Sequence, residues 1–322
     1  MNRSVSWVDL RQATIWHGLR QALSEAAPDR QLTVVDAGGG SGGFAVPLAE
    51  QGHDVTVVDP SPDALASLAR RATERGVGGL VHGRQGDLTN LLDIVPPGAA
   101  DLVLCHNVME FVDAPADALV TAVGALRPGG LLSVLAANRA AAVLARAVAG
   151  KFTDAAAVLT ETSDSAAESD LPRPAGRVGP AVPASPGIPA RADGPAGPVG
   201  LGVPAGPVGV GPAGPIGPAG LAGAPRPASS GGSSSSGASS PGSATRRFDA
   251  AGLTKLVNGA GAQVRFVHGV RVFVDLVPSA LAEADQSAAE ALLRLELAAS
   301  TMAPYIDIAT QLHVLAVRRP DR

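Results

Sequence analysis

The 322-residue sequence predicts an α/β fold, doubly wound around a mainly parallel seven-stranded sheet and interrupted by a long Pro/Gly/Ser-rich insertion. Three features support this prediction. Apolar runs alternate with helical patterns up to residue 149, a glycine-rich loop follows the first predicted strand, and the globular pattern returns at Phe248 after a low-complexity stretch. Strands that alternate with helices need right-handed crossover connections, which make neighbouring strands parallel.

The alternation of strands and helices is regular in the first half of the chain. Apolar residues at helical spacing indicate a first helix at residues 5–27, and Pro62 stands where a helix often begins. The RPGG sequence at Arg127–Gly130 predicts a turn. The predicted strands are 32–35, 53–59, 80–84, 101–107 and 131–138, and the further predicted helices are 44–51, 62–75, 116–126 and 139–149.

The composition changes between residues 160 and 245, which we predict to be a disordered insertion. Proline, glycine, alanine and serine dominate residues 171–242, so this stretch has too little apolar surface to offset the entropy of ordering. Five consecutive glycine triplets at residues 211–225 raise the alternative of a collagen helix. The glycine phase breaks at residues 200–202 and 209–211, which favours a flexible linker.

The sequence after the insertion has globular character again. It predicts a helix at 250–261, an extended stretch at 263–277 that is either one strand or a strand with a bent second piece, a helix at 280–300 and a final strand at 312–319. We therefore expect residues 1–159 and 246–322 to form one domain that the low-complexity stretch interrupts.

Composition also bounds the class of protein. The formal net charge is −4 and the pI is about 5.9, whereas a dedicated nucleic-acid-binding domain is usually strongly basic. The single cysteine, Cys105, excludes an intramolecular disulfide and favours a reducing compartment. The sequence shows neither a signal peptide nor an apolar run long enough to span a membrane. We expect a cytoplasmic protein that is not bound to a membrane.

The glycine loop is the first candidate binding site. Gly38, Gly40 and Gly42 follow a strand that ends near Asp36, and glycines let a ligand approach the main chain closely. The loop also matches the dinucleotide pattern G-x-G-x-x-G through Gly38, Gly40 and Gly43. Asp59 ends the next strand, where its carboxylate can accept hydrogen bonds from a ribose. These residues suit both a nicotinamide dinucleotide and S-adenosylmethionine.

Two further observations favour S-adenosylmethionine. Asp87 follows the third predicted strand, where a carboxylate can reach an adenine amino group. An oxidoreductase would also need a second catalytic domain, and the sequence shows none. A tight strand-to-helix turn without any ligand is the structural alternative for the loop.

Several motifs together resemble one family. The globular part resembles, in order, the class I S-adenosylmethionine-dependent methyltransferases that esterify 5-carboxymethoxyuridine at the tRNA wobble position, which have a Rossmann-like fold. The motifs are LRQATIW at 10–16, VVDAGGGSGG at 34–43, HNVMEFV at 106–112, LRPGGLLS at 126–133, AGKF at 149–152, GVRVF at 269–273, and ALLRLE, PYI and HVLAVR towards the end.

The resemblance implies S-adenosyl-L-methionine as cofactor and assigns residues to it. By this resemblance Arg11 reaches the cofactor's carboxylate, Asp59 holds the ribose, and His106 lies near the methionine moiety. The other implied cofactor-binding residues are Gly38, Gly39 and Gly40 in the loop, and Gln85 and Asp87 beside adenine. The family's basic segment after the fifth strand is replaced here by the insertion, and of it only Arg246 and Arg247 remain.

Each candidate side chain also has an alternative interpretation in which its role is structural and it binds no ligand. Arg11 would be a solvated helix arginine, His106 a hydrogen-bonded histidine at a strand end, and His313 a structural residue of the last strand. Arg271 lies between Val270 and Val272, so strand alternation places it on the opposite face, where it is either a solvated sheet arginine or a clamp for an acceptor carboxylate or phosphate.

The predicted chemistry is methyl transfer by in-line displacement. A carboxylate acceptor titrates near pH 4, so it is ionised at pH 7 and needs no general base. This agrees with the lack of a convincing base pair in the sequence, and it leaves Arg271 as the candidate that orients the acceptor. The alternatives are a small-molecule O- or N-methyltransferase with no tRNA partner, and a non-catalytic cofactor-binding protein. No metal site is predicted.

Overall fold

The computed structural model describes residues 6–26, 30–160 and 246–320. The predicted insertion therefore lies outside the described residues from position 161 to 245. The strands are β1 Thr33–Ala37, β2 Asp54–Asp59, β3 Val81–Gln85, β4 Ala100–His106, β5 Leu126–Ala137, β6 Ala262–Val270 and β7 Gln311–Arg318. The helices are α1 Trp7–Ala26, α2 Ala45–Glu50, α3 Pro62–Glu74, α4 Leu91–Ile94, α5 Pro115–Ala125, α6 Arg139–Val148, α7 Phe152–Thr160, α8 Ala250–Gly259, α9 Ser279–Ala284, α10 Gln286–Ala299 and α11 Ala303–Ile308.

The strands of the described residues form one seven-stranded sheet in the order β3-β2-β1-β4-β5-β7-β6. Strands β1 to β5 pair in parallel, and β7 pairs antiparallel with both β5 and β6. The predicted fold class, a doubly wound and mainly parallel sheet, is confirmed. Strands from both sides of the 161–245 gap share this sheet, while the predicted domain boundaries stay a prediction.

Helices cover both faces of the sheet because the strand residues alternate between two cores. On β4, Leu102 and Leu104 face the core beneath α1, α2 and α3, whereas Val103 and Cys105 face the core beneath α5 and α8. Burial raises the pKa of the Cys105 thiol to about 12, so it stays protonated. Among the described helices, none combines the length and the apolar character that a membrane span requires.

Two sequence predictions are wrong in detail. The RPGG sequence is not a separate turn, since it belongs to β5 and loops out where the pairing with β4 shifts register between Ala100 and Leu102. The helix predicted at 280–300 is broken at Asp285, whose extended backbone ends α9 and whose side chain caps α10 by accepting from the Ser287 N–H. The extended stretch follows the second of the two predicted alternatives, because it is one strand, β6, that ends at Val270 and is followed by a bent piece from Arg271 on.

Glu296 on α10 holds the bent piece that follows β6. Its side chain is buried, and its two carboxylate oxygens accept hydrogen bonds from the backbone N–H groups of Val272 (3.0 Å), Phe273 (2.7 Å) and Val274 (2.6 Å). These donors would otherwise lack partners in a buried place, which is costly. The carboxylate therefore fixes the backbone that follows Arg271.

Removal of the Glu296 carboxylate should lower the stability of the whole domain. We expect Glu296→Ala to reduce the free energy of unfolding by about 3 kcal/mol or more, because three backbone donors lose a charged acceptor. Urea denaturation measures this loss. Glu290→Ala is the control and should cost far less, because the Glu290 side chain, on the same helix, accepts from the Gln286 side chain alone among the described residues. Equal losses in both variants would contradict the role given to Glu296.

Candidate active site at the carboxyl ends of the strands

The glycine loop lies against its neighbours with no room for side chains. Gly38 has a φ of +75°, and a Cβ there would lie 2.3 Å from Val108 Cγ2. At Gly39 a Cβ would lie 2.5 Å from the Asp36 carboxyl. Only glycine meets both demands, so the loop presents bare backbone at the carboxyl edge of the sheet.

Asp59 ties the end of β2 to the glycine loop. Its Oδ2 accepts a hydrogen bond from the Gly40 N–H and its Oδ1 accepts from the Ser61 N–H, each at 2.9 Å. Each oxygen keeps a second lone pair for another donor. Gln85 pairs with Asp59 in the strand register, but its side chain is exposed and donates to the Pro60 carbonyl at 3.3 Å.

Asp36 lies beneath the loop and carries an unusual protonation state. It is buried, and its Oδ2 has no hydrogen-bond partner among the described residues. Burial, and then the charge of Asp59, raise the pKa of Asp36 to about 7. A positively charged group bound above the loop would favour the ionised form of this carboxyl.

The larger of two cavities beside the loop has a volume of about 550 Å³. Gly38 and Asp87, two of the predicted cofactor-binding residues, line it together with Leu88, Val108 and Phe111. Asp87 accepts from the Thr89 N–H (2.7 Å) and the Thr89 hydroxyl, and these bonds lower the pKa of Asp87, which stays ionised. The cavity thus combines apolar walls with three aspartates, Asp87, Asp113 and Asp117.

The second cavity, of about 280 Å³, lies beside Phe44, just beyond the glycine loop. Arg11 and Arg271 line it from opposite parts of the sequence. Asp275 bridges them: one carboxylate oxygen lies 3.2 Å from Arg11 Nη1, and the other binds Arg271 Nη2. The structure therefore joins two candidate arginines that the sequence separates by 260 positions.

The position of Arg271 differs from the sequence prediction. It does not alternate on a strand, because β6 ends at Val270 and Arg271 has a φ of +60°. Only 20% of its side chain is exposed, and its Nε is buried without a hydrogen-bond partner among the described residues. The solvated-arginine interpretation is therefore wrong. Its Nη1 and Nη2 donate to Gln311 and Asp275, so the guanidinium stands at the cavity in one orientation and offers its positive charge to an anionic ligand.

His106 ends β4 but does not line either cavity. It is buried, its Nε2 lies 2.8 Å from Ser133 Oγ, and its ring meets the Phe44 ring edge-on at 4.5 Å. Ser133 Oγ also lies 2.8 Å from His313 Nε2. Burial lowers the pKa of His106 to about 3, and burial also lowers the pKa of His313. His106 is thus a neutral residue behind Phe44.

Arg246 is tied to the protein's own backbone. Its Nη1 donates to the Val112 carbonyl (2.6 Å) and its Nη2 to the Asp113 carbonyl (3.3 Å), both at the rim of the larger cavity. A role for Arg246 and Arg247 in binding phosphates stays a prediction.

Comparison with known proteins agrees with this geometry. Residues 35–134, from β1 to β5, match the model of a methyltransferase domain. Over 167 residues the chain is 34% identical to the tRNA 5-carboxymethoxyuridine methyltransferase of Escherichia coli K12, which covers 51% of this chain and 62% of that protein. The chain thus spans about three fifths of the length of this curated relative.

Other relatives include methyltransferases with different acceptors. The chain is 35% identical over 124 residues to a ubiquinone biosynthesis O-methyltransferase of Caulobacter vibrioides, covering 38% of this chain and 48% of that protein. Among solved structures, the [4+2]-cyclase SpnF is similar with a TM-score of 0.48 and 14% identity, over 95% of this chain and 82% of that chain. The match of residues 35–134 to a methyltransferase-domain model agrees with the predicted class, an S-adenosylmethionine-dependent methyltransferase.

Sequence reasoning missed several residues of the smaller cavity. Phe44, Asn107 and Gln311 line it, and Asp275 orders its two arginines. Asn107 follows His106 directly, so its position at a strand end was the one signal that could have drawn attention to it. Gln311 and Asp275 carry no such signal, because they reach the cavity only through tertiary contacts.

We expect the buried histidines to remain neutral across the working pH range. The pKa of His106 is lower in the folded protein than the ordinary value of about 6.5, so its neutral state adds stability above that pH, and this stability is lost as the pH falls towards 3. Nitrogen-edited NMR of the rings should show neutral imidazoles for His106 and His313 from pH 8 down to about 5. Titration of either ring near pH 6.5 would contradict the described environment.

Proposed function

We propose that this protein transfers a methyl group from S-adenosylmethionine to an ionised carboxylate bound beside Arg271. One observation carries the proposal. The smaller cavity is lined by two guanidinium groups, and its lining residues within the described part of the chain include no histidine and no carboxylic acid. Such a cavity suits an anion that needs no deprotonation, and it offers no base for a hydroxyl or amine acceptor.

The residues around the loop fit the methyl donor. Asp59 would accept hydrogen bonds from the ribose hydroxyls, the larger cavity with Asp87 would hold adenine, and Arg11 would pair with the methionine carboxylate. The backbone of Gly38 lines the larger cavity, where a ligand can approach it closely. When bound, S-adenosylmethionine supplies a methyl group on a positively charged sulfur, and transfer of this group to a carboxylate oxygen forms an ester.

The chain's own contribution is orientation. Arg271 is held from several sides: its backbone carbonyl accepts from the Thr310 hydroxyl at 3.0 Å, its guanidinium binds Asp275 and Gln311, and Glu296 holds the turn that follows. A fixed guanidinium holds a carboxylate in one geometry, and positioning of two reactants can supply about 7–11 kcal/mol in favourable cases. Proton transfer by His106 is not needed.

The finer proposal is that the carboxylate belongs to 5-carboxymethoxyuridine at the wobble position of tRNA. The resemblance to the E. coli enzyme of that name and the arginine-lined cavity support it. A hydroxyl acceptor, which the name of the ubiquinone relatives suggests for those proteins, would require removal of a proton. The lining of the smaller cavity therefore favours the carboxylate.

Cofactor binding should depend on Asp59. In Asp59→Ala the ribose loses two hydrogen bonds to a charged acceptor, each worth about 1.5–3 kcal/mol, so we expect the affinity for S-adenosylhomocysteine to fall by about 100-fold or more. Isothermal titration calorimetry measures this affinity. Asp63→Ala removes an exposed aspartate from the first turn of α3 and should bind normally. Unchanged affinity in Asp59→Ala would refute the assigned ribose contact.

Methyl transfer itself should depend on Arg271. Purified protein, methyl-labelled S-adenosylmethionine and tRNA that carries 5-carboxymethoxyuridine should yield label that mild alkali releases, because the product is an ester. Arg271→Ala should lower kcat/KM by about 100-fold or more while the affinity for S-adenosylhomocysteine stays unchanged, since the lost contact is a charge-assisted one. Alkali-stable label would point to another acceptor. Normal turnover by Arg271→Ala would refute the role of Arg271 in orienting the acceptor carboxylate.

A further inference from the structure

Asn107 lies at the mouth of the smaller cavity in a fixed backbone conformation. It follows the last residue of β4, has a φ of +56° and donates its backbone N–H to the Leu135 carbonyl at 2.8 Å. Asparagine, aspartate and glycine are the residues that adopt this left-handed conformation most readily. The side chain of Asn107 lines the cavity together with Arg271 and Gln311.

A chain of hydrogen bonds determines which way the Asn107 amide points. A guanidinium can only donate, so the Gln311 oxygen must face Arg271 Nη1, which it meets at 3.3 Å. The Gln311 amino group then faces Asn107 and donates to its Oδ1. The Asn107 oxygen thus bonds to Gln311, and the Asn107 amino group has no hydrogen-bond partner in the described part of the chain.

Gln12, which also lines the cavity, has its amide oriented in the same way, with the oxygen bonded within the protein and the amino group free. Trp16 Nε1, which can only donate, meets the Gln12 oxygen at 3.3 Å. The amino group of Gln12 is thereby left free on a residue that lines the cavity. Both arginines and both terminal amides thus present hydrogen-bond donors, and an ionised carboxylate, which can only accept, is the complementary ligand.

We infer that Asn107 is a specificity-determining residue that donates a hydrogen bond to the acceptor carboxylate, with Gln311 as the positioning residue that sets its amide. This inference rests on the proposed function and adds the means by which a carboxylate is distinguished from a neutral group. A carboxamide presents its own N–H donors and carries no charge, so it matches this cavity less well. The methyl ester product has lost the negative charge, which favours its release.

The test uses RNA anticodon stem–loops that carry either 5-carboxymethoxyuridine or its neutral carboxamide counterpart at the wobble position. Affinity is measured by calorimetry with the full chain saturated with S-adenosylhomocysteine. The wild type should prefer the carboxylate. In Asn107→Asp the bond from Gln311 is retained but the free end becomes a charged acceptor, so we expect carboxylate binding to weaken about ten- to hundredfold. Binding of the carboxamide, whose N–H donors match the new acceptor, should not weaken, and binding of S-adenosylhomocysteine should change by less than about threefold.

Two further variants separate this role from a structural one. Asn258→Asp is the matched control, because Asn258 Oδ1 accepts from the Val264 N–H, does not line the cavity and keeps that bond as aspartate. It should retain the wild-type preference. Asn107→Gly suits the left-handed backbone and should lose the preference partly, since a donor is removed without an added charge.

The role of Gln311 is tested in two backgrounds. Gln311→Glu presents a second acceptor to Asn107 and turns its amide, so carboxylate binding should fall even though Asn107 is unchanged. In Asn107→Gly the same Gln311→Glu change should have an effect at least about twofold smaller, because part of it acts through Asn107. An equal effect in both backgrounds would mean that Gln311→Glu weakens carboxylate binding through its added charge alone. This result would overturn the positioning role of Gln311.

The outcomes also separate this inference from the proposed function. If the wild type binds neither stem–loop, the proposed acceptor is wrong and the inference is overturned with it. If the wild type prefers the carboxylate and Asn107→Asp keeps that preference, the inference alone is overturned.

Discussion

The pairing of β7 between β5 and β6 is the interaction on which the candidate site depends. The first five strands form a parallel half-sheet that carries the glycine loop, Asp59 and Asn107 at its carboxyl edge. The antiparallel ladder from Leu131–Val317 to Ala137–Gln311 attaches the last part of the chain to that half. It thereby brings Gln311, and with β6 also Arg271, to the same edge of the sheet as Arg11. Without this ladder, Gln311 and Arg271 would not line the cavity.

Buried polar groups then convert this edge into a site with defined charge. Among the described residues, Glu296 accepts from three backbone donors, whereas Asp36 has an oxygen without a partner and His106 has a serine hydroxyl as its hydrogen-bond partner. Burial raises the pKa of Asp36 to about 7, so it is about half ionised at pH 7, and burial keeps His106 neutral there. The charged groups of the smaller cavity are Arg11 and Arg271, with Asp275 between them. Two cations that share one carboxylate leave a net positive cavity, which is the electrostatic basis for an anionic acceptor.

Sequence periodicity predicted the strands and most helices, because the alternation on strands such as β4 and the spacing on α1 are local patterns. It was wrong at Arg271, since valines on either side suggested a strand while a distant glutamate imposed a turn. It also missed the break at Asp285, where a capping side chain prevailed over a continuous helical pattern. The short helices α4, α7 and α11 were not predicted.

Only the part of the candidate site that consists of sequence motifs could be predicted from the sequence. The glycine loop and Asp59 are recognisable because a fixed local geometry requires them. The contacts of Gln311 with Asn107, 204 positions earlier, and of Asp275 with both arginines depend on tertiary structure and leave no local pattern. The direction of the Asn107 amide likewise follows from a donor at the far end of a hydrogen-bond chain.

The central claim is that the acceptor is a carboxylate, and the wobble nucleoside of tRNA is where it can be examined most directly. Mass spectrometry of tRNA nucleosides compares a strain that carries the gene with one that lacks it. The account predicts that the methyl ester of 5-carboxymethoxyuridine disappears in the deletion strain while the free carboxylate form accumulates. An unchanged amount of the ester in that strain would contradict it.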